Sequence, residues 1–348
     1  MKSSATWRGM VALTGGTGFI GRHAIRALLE QGWWVRVLAR DENRLRRALQ
    51  SVGVDINACC TKLDFVIGDM EDEAVLARLL EGADAALHIA GLVKAPRTED
   101  FLRVNARAAE RLARLADATG VRRFVHVSSL AAREPHLSTY ARSKRAGEEA
   151  VLSTLGQRAV AVRPPAVYGP ADEATFGLID QLSRRVGFVP GRVDMRVSLI
   201  HVRDMADALA VLVEDARAGG GEVLEVDDGK PGGYTWEDMR QAAEEALRRR
   251  VRLCLLPRPL VSGAAHVADG LAGLLGRAFM LSREKVNELY HHDWVARPPR
   301  VQERTGWTPA VQFAEGFLDT LGWWCRQGRL PRNRLPGTAG ATRQAENG

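Results

Sequence analysis

Cysteine is scarce in this chain, and none of it falls in a metal-type pair. There are four cysteines among 348 residues, and no two of them are spaced as CxxC. This usage is typical of a reducing cytosol and argues against a disulfide scaffold. Residues 1–8 also lack the apolar core of a secretion signal, so we expect a cytoplasmic protein. The cysteines are Cys59, Cys60, Cys254 and Cys325.

Long uncharged apolar runs are missing as well. The most apolar stretch, residues 260–281, is interrupted by His266, Asp269 and Arg277. A helix that crosses a bilayer needs about 20 predominantly apolar residues. The stretch therefore predicts an amphipathic or partly buried segment and no transmembrane span.

Basic residues are abundant but do not form a nucleic-acid pattern. The formal net charge is +7, yet Lys and Arg are spread along the chain and no basic run is interleaved with aromatics. We therefore expect no nucleic-acid partner. An anionic cofactor or peripheral contact with an acidic membrane surface would suit this charge, and so would a solvated, arginine-rich surface.

Apolar strand patterns alternate with helical patterns through the first 170 residues. This order predicts an α/β fold, a doubly wound parallel sheet of the Rossmann type with helices on both faces. Ligands of such sheets bind beyond the carboxyl ends of the strands. The expected strands are residues 10–14, 34–39, 63–67, 85–89, 123–128 and 159–163, and the expected helices are residues 21–31, 41–49, 74–80, 104–119 and 140–154.

A smaller and less regular lobe is expected after this alternation ends. We assign residues 8–170 to a dinucleotide-binding core, with 197–226 returning to it. Residues 171–196 and 227–330 would form a smaller C-terminal substrate lobe. The polar, glycine-rich residues 331–348 predict a flexible tail.

A glycine-rich turn joins the first expected strand to the first expected helix. Glycine permits a tight turn, lets backbone approach a pyrophosphate, and lets the helix pack closely on the strand. The helix N-terminus then presents free N–H groups to the anion. The sequence therefore predicts a dinucleotide cradle made of Gly15, Gly16, Thr17, Gly18, Phe19, Ile20 and Gly21.

The end of the second strand indicates which dinucleotide is bound. NAD sites usually place a carboxylate there, whereas NADP sites use arginine, and this strand ends with Ala39 and Arg40. Because Arg40 would bind a 2′-phosphate, we predict NADP as the preferred cofactor, with NAD as the alternative. Arg40 would otherwise be a surface residue, with Asp41 capping the next helix.

The third and fourth strands end in residues suited to line the same cofactor. Asp69, beside Met70, would accept a hydrogen bond from the adenine amino group or would cap the following helix. Ala90 and Gly91 are small enough to let a cofactor pass close to the backbone. His88 is expected to pack within its strand and not to react.

Tyr140 and Lys144 lie four residues apart, on one face of an expected helix. The ordinary pKa of a tyrosine is near 10, and a nearby ammonium together with an oxidised nicotinamide would lower it. Tyr140 would then exchange a proton with the substrate oxygen. Ser128 or Ser129, after the preceding strand, would hold that oxygen. An ordinary amphipathic helix would also contain the pair.

Together these residues resemble the extended branch of the short-chain dehydrogenase/reductase family. The resemblance rests on TGGTGFIG, GDM, HIAG, VSS and YARSK, and on RPPAVYGP, HVRDMA and GWTP further on. It implies that Tyr140 is the acid/base and that Lys144 binds the nicotinamide ribose and lowers the tyrosine pKa. It also implies that Ser129, the second serine of its motif, orients the substrate.

Further roles follow from the same resemblance. Asn105 would support the lysine through water, and the C-terminal lobe would select the substrate. The protein would be a homodimer. The segment beside the nicotinamide would be Pro165, Ala166 and Val167.

Departures from the sugar-nucleotide members favour an apolar carbonyl or alcohol as the small-molecule substrate. Ser129 and Tyr140 are only eleven residues apart, and residues 253–280 are apolar and rich in Gly and Ala. We therefore predict an NAD(P)-dependent oxidoreductase that moves hydride between nicotinamide and a carbonyl or alcohol carbon. The alternatives are a sugar-nucleotide epimerase or dehydratase with a tightly bound cofactor, and a non-catalytic cofactor-binding accessory subunit.

The late run of two histidines and an aspartate, residues 291–293, predicts an exposed turn and no metal site.

Overall fold

A computed structural model describes residues 8–95, 97–214, 220–275 and 282–336, with the backbone alone for 269–275. The strands are β1 (Met10–Thr14), β2 (Trp34–Ala39), β3 (Leu63–Ile67), β4 (Ala85–His88), β5 (Arg123–Val127), β6 (Ala159–Arg163), β7 (Ala166–Tyr168), β8 (Val186–Pro190), β9 (Arg196–Val197), β10 (Leu199–His201), β11 (Glu222–Glu225), β12 (Arg252–Leu256) and β13 (Asp293–Trp294). The α-helices are α1 (Phe19–Glu30), α2 (Glu42–Gln50), α3 (Glu73–Leu80), α4 (Thr98–Leu102), α5 (Ala108–Ala118), α6 (Thr139–Leu155), α7 (Phe176–Leu182), α8 (Val202–Glu214), α9 (Trp236–Leu247), α10 (Arg258–Leu275), α11 (Arg283–Leu289), α12 (Val301–Thr305) and α13 (Phe313–Arg326).

A seven-stranded parallel sheet organises the molecule, in the order β11-β6-β5-β4-β1-β2-β3. The order reverses between β1 and β4, which is where doubly wound sheets bind their ligands. The predicted Rossmann-type fold is therefore confirmed. Strand β11, which follows α8 in the chain, lies at the edge of the sheet beside β6.

The central strands of the sheet are mostly apolar because helices cover both of its faces. In β1, Val11 and Leu13 pack into one apolar cluster, whereas Ala12 packs into another. Successive side chains of a strand point to opposite faces, so a strand buried on both faces reads as a continuous apolar run. Helices α1, α2 and α8 cover the first face, and α3, α5 and α6 cover the second.

A third apolar cluster forms the C-terminal lobe, built on α7, α9 and α13, with α10 and α11 beside it. Phe313, Phe317 and Trp324 of α13 share this cluster with Met239 of α9. Strands β8 and β12 form a separate two-stranded parallel sheet in this lobe. Among the described residues, no helix combines the length and apolar character needed to cross a bilayer.

The helix expected over residues 104–119 begins earlier in the structure, and one of its turns is π-helical. Helix α4 continues through one turn of π-helix, Arg103–Arg107, into α5. A π turn inserts one extra residue into a helix and frequently marks a functional site. Asn105 lies in this turn and is buried. The α-helical periodicity of the sequence gave no sign of the turn, because its position depends on what Asn105 contacts in three dimensions.

A buried ion network joins β6, α6 and β11. Arg163 of β6 donates to both carboxylate oxygens of Glu148, at 2.7 and 2.6 Å, and Glu148 is 1% exposed. Glu225 of β11 lies 3.8 Å from Arg163 and 3.4 Å from Arg133. Arg133 also donates to the carbonyl of Asp293. The network therefore ties the C-terminal lobe to the sheet and to α6.

Removing one partner of the Arg163–Glu148 pair should lower the stability of the protein more than removing both partners. Arg163→Met leaves the Glu148 carboxylate buried without its bidentate partner, which should lower the free energy of unfolding by about 3–5 kcal/mol. The double variant Arg163→Met/Glu148→Leu should lose less, because no unpaired buried charge remains. Urea unfolding measures both changes. A double variant less stable than the single variant would contradict this account.

Candidate active site

The turn between β1 and α1 has no room for side chains at its glycines. Gly15 has a φ of +83°, and a Cβ there would lie 2.6 Å from the backbone nitrogen of Ala90. A Cβ on Gly16 would lie 2.5 Å from Val37, and one on Gly21 would collide with the carbonyl oxygen of Gly15. The strand, the helix and the loop after β4 can therefore approach this closely only with glycine at these positions.

The N-terminus of α1 is open to an anion. Gly18 is the N-cap residue, and no side chain caps the helix. The Gly18 amide donates to the Gly15 carbonyl at 2.9 Å, which closes the turn. Uncapped N–H groups and the positive end of the helix dipole suit a phosphate group. The half-buried Thr17, Phe19 and Ile20 complete the predicted cradle around this end.

Arginines surround the end of β2. Arg40 and Arg44 are exposed, and neither side chain has a hydrogen bond or an ion pair to another described residue. Burial and then the charge of Arg44 lower the pKa of Arg22, whose guanidinium donates to the Gly18 carbonyl in the glycine turn. Asp41 caps α2 by accepting from the amide of Arg44 at 3.0 Å, as its alternative role predicted. The region next to the turn is therefore basic.

The possible capping role of Asp69 is wrong. The N-cap of α3 is Asp72, whose carboxylate accepts from the amides of Ala74 and Val75. The Asp69 carboxylate accepts from the Glu71 amide at 3.0 Å, and Asp69 stays exposed after the end of β3. Capping was the alternative role expected for Asp69, but the chain makes one more turn before α3 begins at Glu73.

Asn105 holds the loop after β4 against α6. Its carbonyl oxygen accepts from the Leu92 amide at 2.7 Å. Its amide nitrogen donates to the Leu92 carbonyl at 3.0 Å and to the Ser143 hydroxyl at 2.9 Å. A Cβ on Gly91 would lie 3.1 Å from Asn105 and 3.5 Å from the Lys144 nitrogen. Asn105 thus fixes a loop that passes close to Lys144.

Lys144 is buried, with a relative exposure of 4%. Its ammonium donates to the carbonyl of Val127, at the end of β5, at 2.7 Å. Burial lowers the pKa of Lys144 to about 8, and the carboxylate of Glu148 one turn further along α6 opposes this change. The charge is therefore held inside the protein at the carboxyl end of the central strands.

Tyr140 lies one turn before Lys144, and Ser129 contacts its phenol. Burial raises the pKa of Tyr140 to about 12, while a hydrogen bond with the Ser129 side chain lowers it and the charge of Glu288 raises it. This direction is opposite to the lowering expected from Lys144. Burial is the largest cause, so loss of water around the phenol dominates.

The Ser129 side chain lies within hydrogen-bond distance of the Tyr140 phenol, and its role in orienting the substrate stays a prediction. Its hydroxyl also accepts from the Ala131 amide at 3.2 Å. The Ser128 hydroxyl, by contrast, is buried with no hydrogen-bond partner among the described residues. The amide of Leu130 donates to the Pro164 carbonyl at 2.8 Å. The segment that begins at Pro165 and continues as β7 therefore starts next to the serine loop.

The C-terminal lobe supplies contacts to α6 that the sequence did not reveal. Glu284 of α11 accepts from both the amide and the hydroxyl of Thr139, at 2.9 Å. Glu288, one turn later, accepts from the Ser138 hydroxyl and from Lys285. Ser138 is the N-cap of α6, so α11 holds the turn that carries Tyr140. The only sequence signal was two glutamates spaced four residues apart.

His88 and His126 make no hydrogen bond to Tyr140, Lys144 or Ser129 among the described residues. His88 is fully buried, shares a hydrogen bond with Thr14 at 2.7 Å, and stacks on His126. Burial lowers the pKa of His88 to about 3, so the ring is neutral and packs within its strand. In the described part of the chain, no group of three His, Cys, Asp or Glu residues could hold a metal ion.

The chain has relatives among dinucleotide-dependent proteins. The NAD dependent epimerase/dehydratase family matches residues 11–226. The chain is 39% identical to "Ceramide reductase" of Caulobacter vibrioides over 94% of this chain and 98% of that protein. It is 30% identical to "4-hydroxy-2-methyl-3-oxo-4-farnesyl-3,4-dihydroquinoline-1-oxide ketoreductase" of Stigmatella aurantiaca, over 63% of this chain and 68% of that protein. The structure of "MoeE5 in complex with UDP-glucuronic acid and NAD" has the same fold (TM-score 0.67, 21% identity, 92% of this chain and 99% of that chain).

The buried ammonium should make stability depend on pH. Below pH 8, Lys144 is charged in both the folded and the unfolded chain, and its lowered pKa corresponds to a cost of about 3 kcal/mol in the folded state. This cost disappears between the folded pKa and the ordinary value of 10.5. Lys144→Met should therefore be more stable than the original chain at pH 7, by up to about 3 kcal/mol, and lose this advantage near pH 10.5.

Urea unfolding between pH 7 and the ordinary pKa of lysine measures this trend. Lys94→Met, which removes an exposed lysine, is the matched control and should show no such pH dependence. A difference between Lys144→Met and the original chain that stays constant with pH would contradict the burial of a charged Lys144.

Proposed function

The chain belongs to the NAD-dependent epimerase/dehydratase family, and we propose that it is a nicotinamide-dependent reductase that converts a ketone of a ceramide-class lipid into a secondary alcohol. The observation that carries the reaction type is the Tyr140 phenol hydrogen-bonded with the Ser129 side chain, because a phenol is protonated at neutral pH and can donate its proton. A ketone that is reduced needs a proton donor at its oxygen. The 39% identity to ceramide reductase supports the substrate class.

The glycine turn fits the pyrophosphate of a dinucleotide, because added Cβ atoms would fill the cradle and the α1 N-terminus is uncapped. Arg40, with Arg44 beside it, would bind a 2′-phosphate, so NADP is the preferred cofactor in this proposal. Asp69 and Met70 would border the adenine, and Ala90 and Gly91 would lie along the cofactor's path. The segment at Pro165, Ala166 and Val167 would border the nicotinamide.

Tyr140 donates the proton in this mechanism. Its hydroxyl hydrogen passes to the substrate oxygen as the carbon–oxygen double bond becomes a single bond, and the phenolate regains a proton from solvent. The Ser129 hydroxyl, which contacts the phenol, holds the substrate oxygen next to it. When bound, the reduced nicotinamide dinucleotide supplies the hydride that the carbonyl carbon takes up.

Lys144 and Asn105 support the Tyr140 phenol in this mechanism. The Lys144 ammonium, one helical turn from Tyr140, favours the phenolate that remains after proton transfer. Its position depends on the Val127 carbonyl and on the loop that Asn105 fixes through Leu92. At neutral pH, a pKa of about 8 leaves Lys144 mostly charged, as this role requires.

The surroundings of Tyr140 suit an apolar substrate. Phe101 packs edge-on against the Tyr140 ring, with ring centroids 6.1 Å apart. Val93, next to the loop residue that Asn105 holds, is 61% exposed. Ligand sites for apolar molecules combine such side chains with few polar groups at the reacting centre. A lipid chain would bury these side chains on binding, whereas a nucleotide sugar would require polar partners for its diphosphate.

The cofactor preference can be tested at Arg40. Arg40→Ala should weaken NADP binding about tenfold or more, because it removes a charge-assisted hydrogen bond to the 2′-phosphate, while NAD binding should change less than about twofold. Calorimetric titration at fixed ionic strength measures both affinities. Arg47→Ala, an exposed arginine later on α2, is the matched control. Equal losses for NADP and NAD in Arg40→Ala would contradict the preference.

The reaction itself can be tested at Tyr140. Tyr140→Phe should lower kcat for reduction of a ketone-bearing ceramide in mixed micelles by about 10²-fold or more, because the proton donor is lost. Cofactor affinity should stay within about twofold. Consumption of reduced cofactor, followed by its absorbance and matched to product by mass spectrometry, is the measurement.

Tyr290→Phe is the control, since Tyr290 donates to the Leu256 carbonyl away from the site. It should keep its turnover. Product formed without net consumption of cofactor would favour an epimerase or dehydratase. A Tyr140→Phe variant with unchanged activity would contradict the catalytic role of the phenol.

A further inference from the structure

Helix α10 exposes an uninterrupted apolar face. Leu260, Gly263, Ala264 and Val267 are all exposed and follow the i, i+3, i+4, i+7 spacing of one helical stripe. Leu260 is 60% exposed and Val267 is 65% exposed. We call this set the α10 stripe.

The opposite side of α10 is already buried. Val261 and Ala265 pack with Val286 of α11 and with Tyr290. A surface helix of a globular protein normally turns polar residues outward. Helix α11 covers the inner face of α10. The α10 stripe is therefore a second apolar face, and no described residue covers it.

Further exposed apolar residues lie in the small sheet that leads into α10. Val186 and Phe188 of β8 are 45% and 54% exposed, and Cys254 of β12, which pairs with Phe188, is exposed on the same face. Five of the eight large exposed hydrophobic side chains in the described residues fall in β8, the loop after it, or α10. Apolar exposure is therefore concentrated in one part of the C-terminal lobe.

Positive charge accompanies this apolar surface. Residues 248–268 contain five arginines and no carboxylate, and all but Arg249 of these arginines are exposed. A cavity of about 370 Å³ opens between α10 and α11, and Arg258, His266, Arg283 and the carboxylate of Glu284 are in its lining. Arginines around an exposed apolar helix face are the pattern of a helix that lies in the headgroup region of an anionic bilayer.

We propose that α10, through the α10 stripe and the arginines around it, docks this protein on the surface of an anionic lipid bilayer. Leu260 and Val267 enter the boundary between headgroups and acyl chains, and Arg252 and Arg258 contact anionic headgroups. The purpose of this contact rests on the proposed function, because a ceramide-class substrate resides in the bilayer. The contact itself is a separate claim and is tested by binding alone.

The fold connects this surface to the reacting groups. Arg258 at the start of α10 donates to Asn287 of α11 at 2.8 Å, and Asn287 donates to the Leu137 carbonyl at 3.2 Å. Glu284 of the same helix accepts from Thr139, next to Tyr140. Docking through α10 would therefore place the bilayer against the elements that hold the first turn of α6.

Co-sedimentation of the full chain with vesicles tests the proposal. The chain should bind vesicles of phosphatidylcholine with about one third phosphatidylglycerol at least tenfold more tightly than vesicles of phosphatidylcholine alone. Leu260→Gln/Val267→Gln should weaken that binding about tenfold or more, because two apolar side chains no longer enter the bilayer. Arg252→Gln/Arg258→Gln should weaken binding to the anionic vesicles only, by about fivefold per arginine.

Trp34→Gln/Ile67→Gln is the matched control. It removes two side chains that are 44% and 42% exposed, on β2 and β3, and it should bind vesicles like the original chain. Thermal unfolding should show that each variant is folded. Binding by Leu260→Gln/Val267→Gln as tight as that of the original chain, or no binding of the original chain to anionic vesicles, would overturn the proposal.

Further results distinguish this proposal from self-association through α10 and from the proposed function. Light scattering that shows a dimer in the original chain and a monomer in Leu260→Gln/Val267→Gln, without vesicle binding, would assign the α10 stripe to a second copy. Reduction of a ketone-bearing ceramide in micelles without vesicle binding would overturn the docking and leave the proposed function standing. Vesicle binding that depends on the α10 stripe, without any such reduction, would overturn the function and leave the docking standing.

Discussion

The candidate site depends on one constraint, the removal of the Lys144 ammonium from water. A buried charge must be held by polar partners, and the Val127 carbonyl at the end of β5 provides the nearest one. The loop after β4 passes at Gly91, where a side chain would press on Asn105 and approach Lys144. The sheet, that loop and α6 are thus fixed relative to one another around a single charge, and the Tyr140 phenol lies one turn from it. The burial of the charged Lys144 lowers the stability of the folded protein, and such a loss is typical of functional sites.

The C-terminal lobe also positions the Tyr140 phenol. Helix α11 accepts hydrogen bonds from Ser138 and Thr139 through Glu288 and Glu284, so the first turn of α6 lies between the sheet and the C-terminal lobe. The Arg163–Glu148 pair anchors the middle of the same helix. Because the C-terminal lobe holds the turn that carries Tyr140, a substrate bound to that lobe would couple its binding to the geometry of proton transfer.

The chemistry and the surface of the molecule support the same class of ligand. Polar groups are concentrated beneath the reacting centre, in Ser129, Tyr140, Lys144 and Asn105. Exposed apolar side chains are concentrated in β8, the loop after it and α10, where Leu260 remains exposed. A lipid whose polar group reacts while its chains stay in an apolar environment would match this separation.

The sequence by itself determined the sheet and supplied the candidate site residues. Strands β1 and β6 are mostly apolar runs with the expected bounds, because burial on both faces leaves a local signature. The glycine turn and the Tyr140–Lys144 pair are equally local. Only the tertiary structure decided the π turn at Asn105, the contacts of Glu284 and Glu288 with α6, and the direction of the Tyr140 pKa. Those features depend on residues far apart in the chain and on how much water remains between them, and no pattern of neighbouring residues records either quantity.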